Sequence, residues 1–325
     1  MKYLKIYKKE EDYEKVVDAN GPGETIHCVS LSEDTKDVNY DISIIGTATT
    51  NKPFNLYLNG TNKDDYQNGK IEVVPDENGN FVLTLDKKLV SAYRMFGGDG
   101  KDDGDANNVK TVVNITGTGK IISMFGMFGD SKSLRHVNVS NFNLSKCTNL
   151  SRMFSGCKNL EYINIENWDL TKLEDCSFFA SGCSKLKEIR LPQTLKKIDK
   201  CFLYKCLSLE KINLPNRLEY IGDGALIRTS ISRIEFPETI KELSDSCVVV
   251  NSNIEKLDII IHSLTPPTII DNDKKNTKNC PFGITSNTNN NQYYIDKVTI
   301  YVPQEAVETY KAVDVWKDYN IQPIN

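Results

Sequence analysis

LRHVNV from Leu134, LEYINI from Leu160, LKEIRL from Leu186, LEKINL from Leu209, ISRIEF from Ile231 and IEKLDI from Ile254 share one pattern, apolar-x-x-apolar-x-apolar. Their starts are 26, 26, 23, 22 and 23 residues apart. One short strand and one return segment fit in each interval, so each repeat is expected to form a coil. A lone coil cannot bury its apolar side, whereas stacked coils enclose a continuous column. Within a segment, residues such as Ile163 and Ile165 alternate as one face of a strand does. The residues between them then face outward.

Two repeat styles follow one another. The longer carries a second phased block, NFNLSKCTNLSRMFSGC at 141–157, echoed by NWDLTKLEDCSFFASGC at 167–183. In that echo Phe142 matches Trp168, Leu144 matches Leu170, and Met153-Phe154 matches Phe178-Phe179. The block reaches upstream through SAYRMFGG near Met95 and GMFGD near Met127, and TVVNIT at 111–116 reads as a degenerate strand. The shorter style, LPQTLKKIDKCFLYKC and LPNRLEYIGDGALIRT, places Pro192, Pro215 and Pro237 just after the strand. Proline there ends the ladder and fixes the turn. Cys157, Cys183 and Cys206 each stand three residues before a repeat leucine, so they are expected to point inward as small buried apolar groups.

The MFSGCKNL and SGCSKL motifs, with LPxxLxxI, resemble the two repeat subtypes of the BspA-like leucine-rich-repeat proteins over about residues 91–325. The resemblance implies a mostly β (α+β) leucine-rich-repeat solenoid that displays a binding surface. TPPT at 265–268 and VTIYVPQEAVETYKAVDVWKDYNIQPI at 298–324 resemble that family's closing segment. They read as a last strand, then a helix after Pro303 with Ala306, Val307 and Tyr310 on one side, a C-terminal cap over 303–325.

Ahead of the solenoid, assigned to 91–302, lie two further pieces. Residues 1–40 read as a small αβ docking module: strand YLKIY, helix EEDYEKVVDA, a GPG break and strand IHCVSLSEDTKDVNY. They resemble the opening modules on structural proteins of phages that infect gut bacteria. Residues 41–90, with FNLYLNG, KIEVV and NFVLTL, read as a β-rich cap sealing the first coil.

With 39% apolar and 26% charged residues, the composition is that of a folded, soluble chain. A net charge of −4 leaves no large basic field for phosphate backbones, so nucleic acid is not expected as a partner. No run approaches the roughly 18 apolar residues of a membrane span. The opening MKYLKIYKKEEDYEKV has scattered charges where a signal peptide would be apolar, so the chain is expected to begin in the cytosol.

Catalytic and metal motifs are sparse. DGKDDGDANN at 99–108 suggests calcium through Asp99, Asp102, Asp103 and Asp105, but Lys101 and Lys110 occupy the third and twelfth places of an EF-hand count. The expectation is a solvated loop. His27, His136 and His262 lie far apart, and Cys201 and Cys206 match no zinc knuckle. No cofactor and no enzymatic activity are expected. Trp168 could stack on a sugar, yet its phase with Phe142 makes it a core rung. Binding is sought on two outward columns: His136, Tyr162, Glu188, Lys211, Arg233, Lys256 and Asn138, Asn164, Arg190, Asn213, Glu235, Asp258. Of these, His136, Asn138, Tyr162, Asn164, Arg190 and Asn213 are the candidate binding residues. The asparagine-rich stretch 271–292 reads as a loop.

The expected function is a non-enzymatic structural or adhesive protein. It is read first as a phage virion component folded in the host cytosol, with a bacterial cell-surface adhesin as the alternative. Its partners would be virion proteins, or a host surface protein or glycan, and homo-oligomers are compatible with either setting.

Overall fold

A computed structural model describes residues 13–16, 26–29, 42–57, 70–85, 92, 95–96, 108–116, 118–270, 280–285 and 293–324. In chain order the strands are β1 (Tyr13–Val16), β2 (Ile26–Val29), β3 (Ile42–Ala48), β4 (Phe54–Tyr57), β5 (Lys70–Val73), β6 (Asn80–Leu85) and β7 (Val109–Thr116). There follow β8 (His136–Val137), β9 (Tyr162–Asn164), β10 (Glu188–Arg190), β11 (Lys197–Ile198), β12 (Tyr220–Ile221), β13 (Arg233–Phe236) and β14 (Glu242–Ser244). The series ends with β15 (Val248–Val250), β16 (Leu257–Ile261), β17 (Thr268–Ile270), β18 (Phe282–Thr285), β19 (Tyr293–Tyr294), β20 (Val298–Val302) and β21 (Asn320–Pro323). The described helix α1 is short, Val307–Lys311. The architecture is therefore a mostly β solenoid.

Its front is built from the quoted hexapeptides. β9 pairs in parallel with β10, and β13, β16, β20 and β21 form a parallel sheet in that order. Alternation puts Leu160, Ile163 and Ile165 inside, over Leu186, Ile189 and Leu191 of the next coil. β7 joins two kinds of structure: one edge pairs in parallel with β8, the other antiparallel with β3, which also pairs with β6. β7 thus links the antiparallel strands to the first coil. At the other end, Ala306, Val307 and Tyr310 are buried as the spacing predicts, and the Tyr310 hydroxyl donates to the Ser263 carbonyl at 3.1 Å.

The far side of each coil is a bend that recurs with the same backbone. Gly126, Arg152, Phe178, Cys201, Gly224 and Ser246 all have φ between 54° and 63°. Four residues on in the first five of these coils, Asp130, Gly156, Gly182, Lys205 and Arg228 have φ between 59° and 79°. Left-handed backbone costs a non-glycine residue about 1–2 kcal/mol. Cross-coil hydrogen bonds offset it: Arg152, Phe154 and Gly156 donate to the carbonyls of Ser177, Phe179 and Ser181 at 3.0, 2.7 and 2.7 Å. Inside this ladder Phe96, Phe128, Phe154, Phe179 and Phe202 form an aromatic column with centroids 5.0–5.3 Å apart.

Four expectations need correction. Residues Tyr13–Val16, inside the stretch read as a helix, form a strand paired antiparallel with Ile26–Val29; strand pairing by Tyr13 and Val16 outweighs local helix propensity. The sixth repeat runs two residues later than IEKLDI. Arg233 lies opposite Asp258 and Ile234 opposite Ile259; a shift of two residues keeps Leu257 and Ile259 inward and adds Ile261 to the buried row. Within the stretch read as a loop, Phe282–Thr285 is a strand that pairs with β15 and β19, driven by burial of Phe282 and Ile284; residues 271–279 and 286–292 lie outside the described residues. Finally, the return segments of the shorter repeats are strands too, β11-β12-β14-β17 forming a second parallel sheet.

The front ladder has one interruption. Residues 209–214 form no strand, so β10 and β13 are not bridged, and Ile212 and Leu214 are 7% and 8% exposed where Ile163 and Ile165 are 0% and 1%. Behind it the bend ladder continues, Cys201, Leu203 and Lys205 donating to Asp223, Ala225 and Ile227.

Candidate functional site

The outward strip is placed by the strand register. Tyr162 stands opposite Glu188 and Asn164 opposite Arg190. His136 lies on β8 of the preceding coil, with Asn138 just beyond it, and both are exposed. Lys211 and Asn213 follow on the interrupted stretch, then Arg233 and Glu235 on β13. Strand pairing aligns the two columns from Tyr162 and Asn164 to Glu188 and Arg190. The corrected register then sets Asp258 beside Arg233, and Lys256 leaves the column.

Two of the amides are occupied by the fold. Asn138 Oδ1 accepts from the Ser140 amide at 3.1 Å and hydroxyl at 2.7 Å, and Asn164 Oδ1 accepts from the Glu166 amide at 3.1 Å. Each turns the chain out of its strand.

Charge on the strip is partly neutralised internally. Arg190 Nε donates to Glu188 Oε1 at 2.8 Å, and its guanidinium lies 5.7 Å from the centre of the Tyr162 ring. The Tyr162 hydroxyl is shielded from solvent and has no hydrogen-bond partner among the described residues. Burial raises its pKa, with Glu188 and Glu166 adding to the rise and Arg190 opposing it. Beside them, Lys187 Nζ sits 2.8 Å from Glu161 and holds that carboxyl below its usual range. Lys256 pairs with Asp258 at 2.9 Å, and His262 contacts Glu235.

The other candidates resolve into packing. Cys157, Cys183 and Cys206 form an inward column whose thiols donate to the carbonyls of Phe128, Phe154 and Ala180 at 3.0, 3.0 and 3.2 Å. One coil earlier Ser131 makes the same contact to Phe96. Burial pushes the Cys183 thiol up to about 12 and Cys157 and Cys206 well above the usual range, which removes nucleophilic thiolate. Cys201 sits in the left-handed bend, in a different column from Cys206. Trp168 is buried, stacked on Phe142. Among the described residues no group of three or more His, Cys, Asp or Glu is placed to hold a metal. Asp99, Asp102, Asp103 and Asp105 lie outside them. No helix among them is long and apolar enough to cross a membrane.

A polar row on the second sheet escaped the sequence reading. Lys197, Tyr220 and Glu242 stand side by side. Asp199 takes Lys197 Nζ at 2.8 Å and the Cys176 amide at 2.9 Å, and the hydroxyls of Tyr220 and Ser244 lie 3.0 Å apart. The alternation in LKKID and LEYIG was the available signal.

Comparison with known proteins bears on these coils. The BspA type leucine-rich-repeat region model matches residues 148–266 in 6 copies. A model described as a Mycoplasma protein of unknown function matches residues 94–197, where the longer repeats lie. Among solved structures, a leucine-rich repeat protein from Bacteroides ovatus is 17% identical, with 78% of this chain and 90% of that chain covered and a TM-score of 0.26. No curated protein matches the chain. Residues 148–266, whose coils stack in parallel, are thus similar to BspA type leucine-rich repeats.

Proposed function

We propose that the chain is a non-enzymatic adhesive binding protein, displayed on a bacterial surface, whose front strip engages a protein partner. The observation that carries this reading is the separation of roles along each front strand. Ile163 and Ile189 hold the coils together, while Tyr162, Arg190 and Asn213 stand outward on a face that coil stacking leaves uncovered. Leucine-rich repeats commonly serve protein–protein interaction through such extended surfaces. A non-enzymatic role is supported by the fate of the reactive groups: thiols sunk in the column and their pKa values raised, and Trp168 spent on packing.

One observation favours a second setting, a virion component. Cys157, Cys183 and Cys206 form no disulfide, and their inward column suits folding in a reducing cytosol, as phage structural proteins do. The resemblance of residues 1–40 to phage modules belongs to the same reading.

Adhesion of beads coated with the full chain to host cells tests the main reading. Strip-dependent adhesion is expected, lost on Tyr162→Ala with Asn164→Ala; adhesion untouched by that pair would count against the strip. Mass spectrometry of cell-surface fractions and of purified phage particles separates the two settings.

A further inference from the structure

The centre of the strip sets Arg190, Lys211 and Arg233 among Glu188, Glu235 and Asp258, and its cations are only partly paired, Asp258 beside Arg233 being taken by Lys256. Lys211 and Arg233 have no ion-pair partner among the described residues, while Arg190 is paired only with a carboxylate of its own strand. That pair is exposed, 48% for Arg190 and 52% for Glu188, so water screens it and its strength is small. The guanidinium lies 5.7 Å from the centre of the Tyr162 ring, whose hydroxyl is a donor shielded from water and given no acceptor among the described residues. An unmet donor of this kind carries a free-energy cost that an incoming acceptor removes. Glu188 thus stands where a partner's carboxylate would bind. Glu210 also lies here, one place before Lys211, but in the column of Glu161 and Lys187 toward the strip's edge.

We propose that this stretch is a docking site for an acidic peptide segment of the partner: one carboxylate replaces Glu188 on Arg190 and accepts the Tyr162 hydroxyl, and a second pairs with Lys211 and Arg233. Adjacent coils stand about 4.8 Å apart and an extended chain advances about 3.3 Å per residue. From the coil of Arg190 to that of Arg233 is therefore about 10 Å, which sets the two acidic residues about three apart. The inference rests on the reading of the strip as the binding face and adds its chemical preference.

The test uses the full chain with fluorescent peptides of ten glutamates, ten glutamines or ten lysines, read by anisotropy at low and physiological salt. The glutamate peptide is expected to bind, with affinity falling as salt rises. Tyr162→Phe and Arg190→Gln should each weaken it about tenfold, the loss of a hydrogen bond to a charged group. Glu188→Gln should tighten it, by up to about fivefold, because the internal competitor is gone. Lys241→Gln on the second sheet serves as the control and should change nothing. Equal binding of the glutamine peptide, equal loss in Lys241→Gln, or weaker binding in Glu188→Gln overturns the proposal. Melting curves of each variant identify any that fail to fold, and Glu188→Gln keeps the question decidable because it predicts a gain. Strip-dependent bead adhesion that the glutamate peptide does not block would refute the acidic preference alone. Peptide binding without bead adhesion would refute the adhesive reading alone.

Discussion

Phe142 and Trp168, one coil apart, lie parallel with ring centroids 5.6 Å apart, and the indole Nε1 donates to the Val139 carbonyl at 2.8 Å. The pair joins two coils by packing and by a buried hydrogen bond at once. Trp168→Ala is expected to cost about 3–5 kcal/mol, as large aromatic deletions do. Trp168→Phe keeps the stack, loses the donor and leaves Val139 O to the Phe142 amide alone, for a loss of about 0.5–1.5 kcal/mol. Urea unfolding followed by circular dichroism measures both; no loss in Trp168→Phe would mean that the indole donor contributes nothing.

The left-handed bend supplies a pair of opposite effects. Gly156 has φ of 78°, and a Cβ there would lie 3.2 Å from Asp130 Cα, so Gly156→Ala should destabilise by about 1–2 kcal/mol. Arg228 occupies the same place at φ 59° and is exposed. Arg228→Gly should release strain and raise stability by up to about 1 kcal/mol, despite the greater entropy of glycine in the unfolded chain. Melting temperatures moving in the same direction for both variants would contradict this reading of the bend.

Alkaline pH should weaken the fold through its thiols. Cys183 is held neutral by burial, from 9.0 up to about 12. Between those values the folded chain keeps a proton that the unfolded chain has released, so stability falls as pH rises through that window and is intact below it. Cys183→Ser should flatten the decline while keeping the contact to Phe154, since Ser131 makes the same bond to Phe96. Chemical denaturation at pH 8, 9 and 10 tests the slope; an unchanged slope in the variant would assign the effect elsewhere.

The corrected register can be trapped covalently. Arg233 and Asp258 are opposed in adjacent strands, whereas Lys256 lies two residues away along β16's approach. In-register parallel positions sit about 4.8 Å apart, inside the reach of a disulfide. Arg233→Cys with Asp258→Cys should crosslink on oxidation, and Arg233→Cys with Lys256→Cys should not. Peptide mapping by mass spectrometry decides; a crosslink only in the second pair would restore the earlier phase.

The limits of sequence reading have physical causes. Phased single positions were legible: Phe142 with Trp168, and the cysteines before each leucine, because equivalent places in a solenoid meet the same neighbours. The register of Leu257, Ile259 and Ile261 was not, since a shift of two residues along a strand keeps the same side chains inward and leaves the alternation unchanged. β18 was hidden because Phe282 and Ile284 sit among asparagines and their parallel partner is a distant strand, β15. On the strip, residue types were readable, but the unmet Tyr162 hydroxyl depends on where Arg190 lies in space.

The gap in the front ladder at residues 209–214, set against the unbroken bend ladder behind it, makes the molecule unequally compliant. Tension along the axis would separate the front first, with the rear bonds from Cys201, Leu203 and Lys205 acting as the pivot. Curvature would then change at one point, between two stiff sections. Lys211 and Asn213 lie on that point, so a partner spanning Arg190 and Arg233 would also set the angle at which the two sections meet.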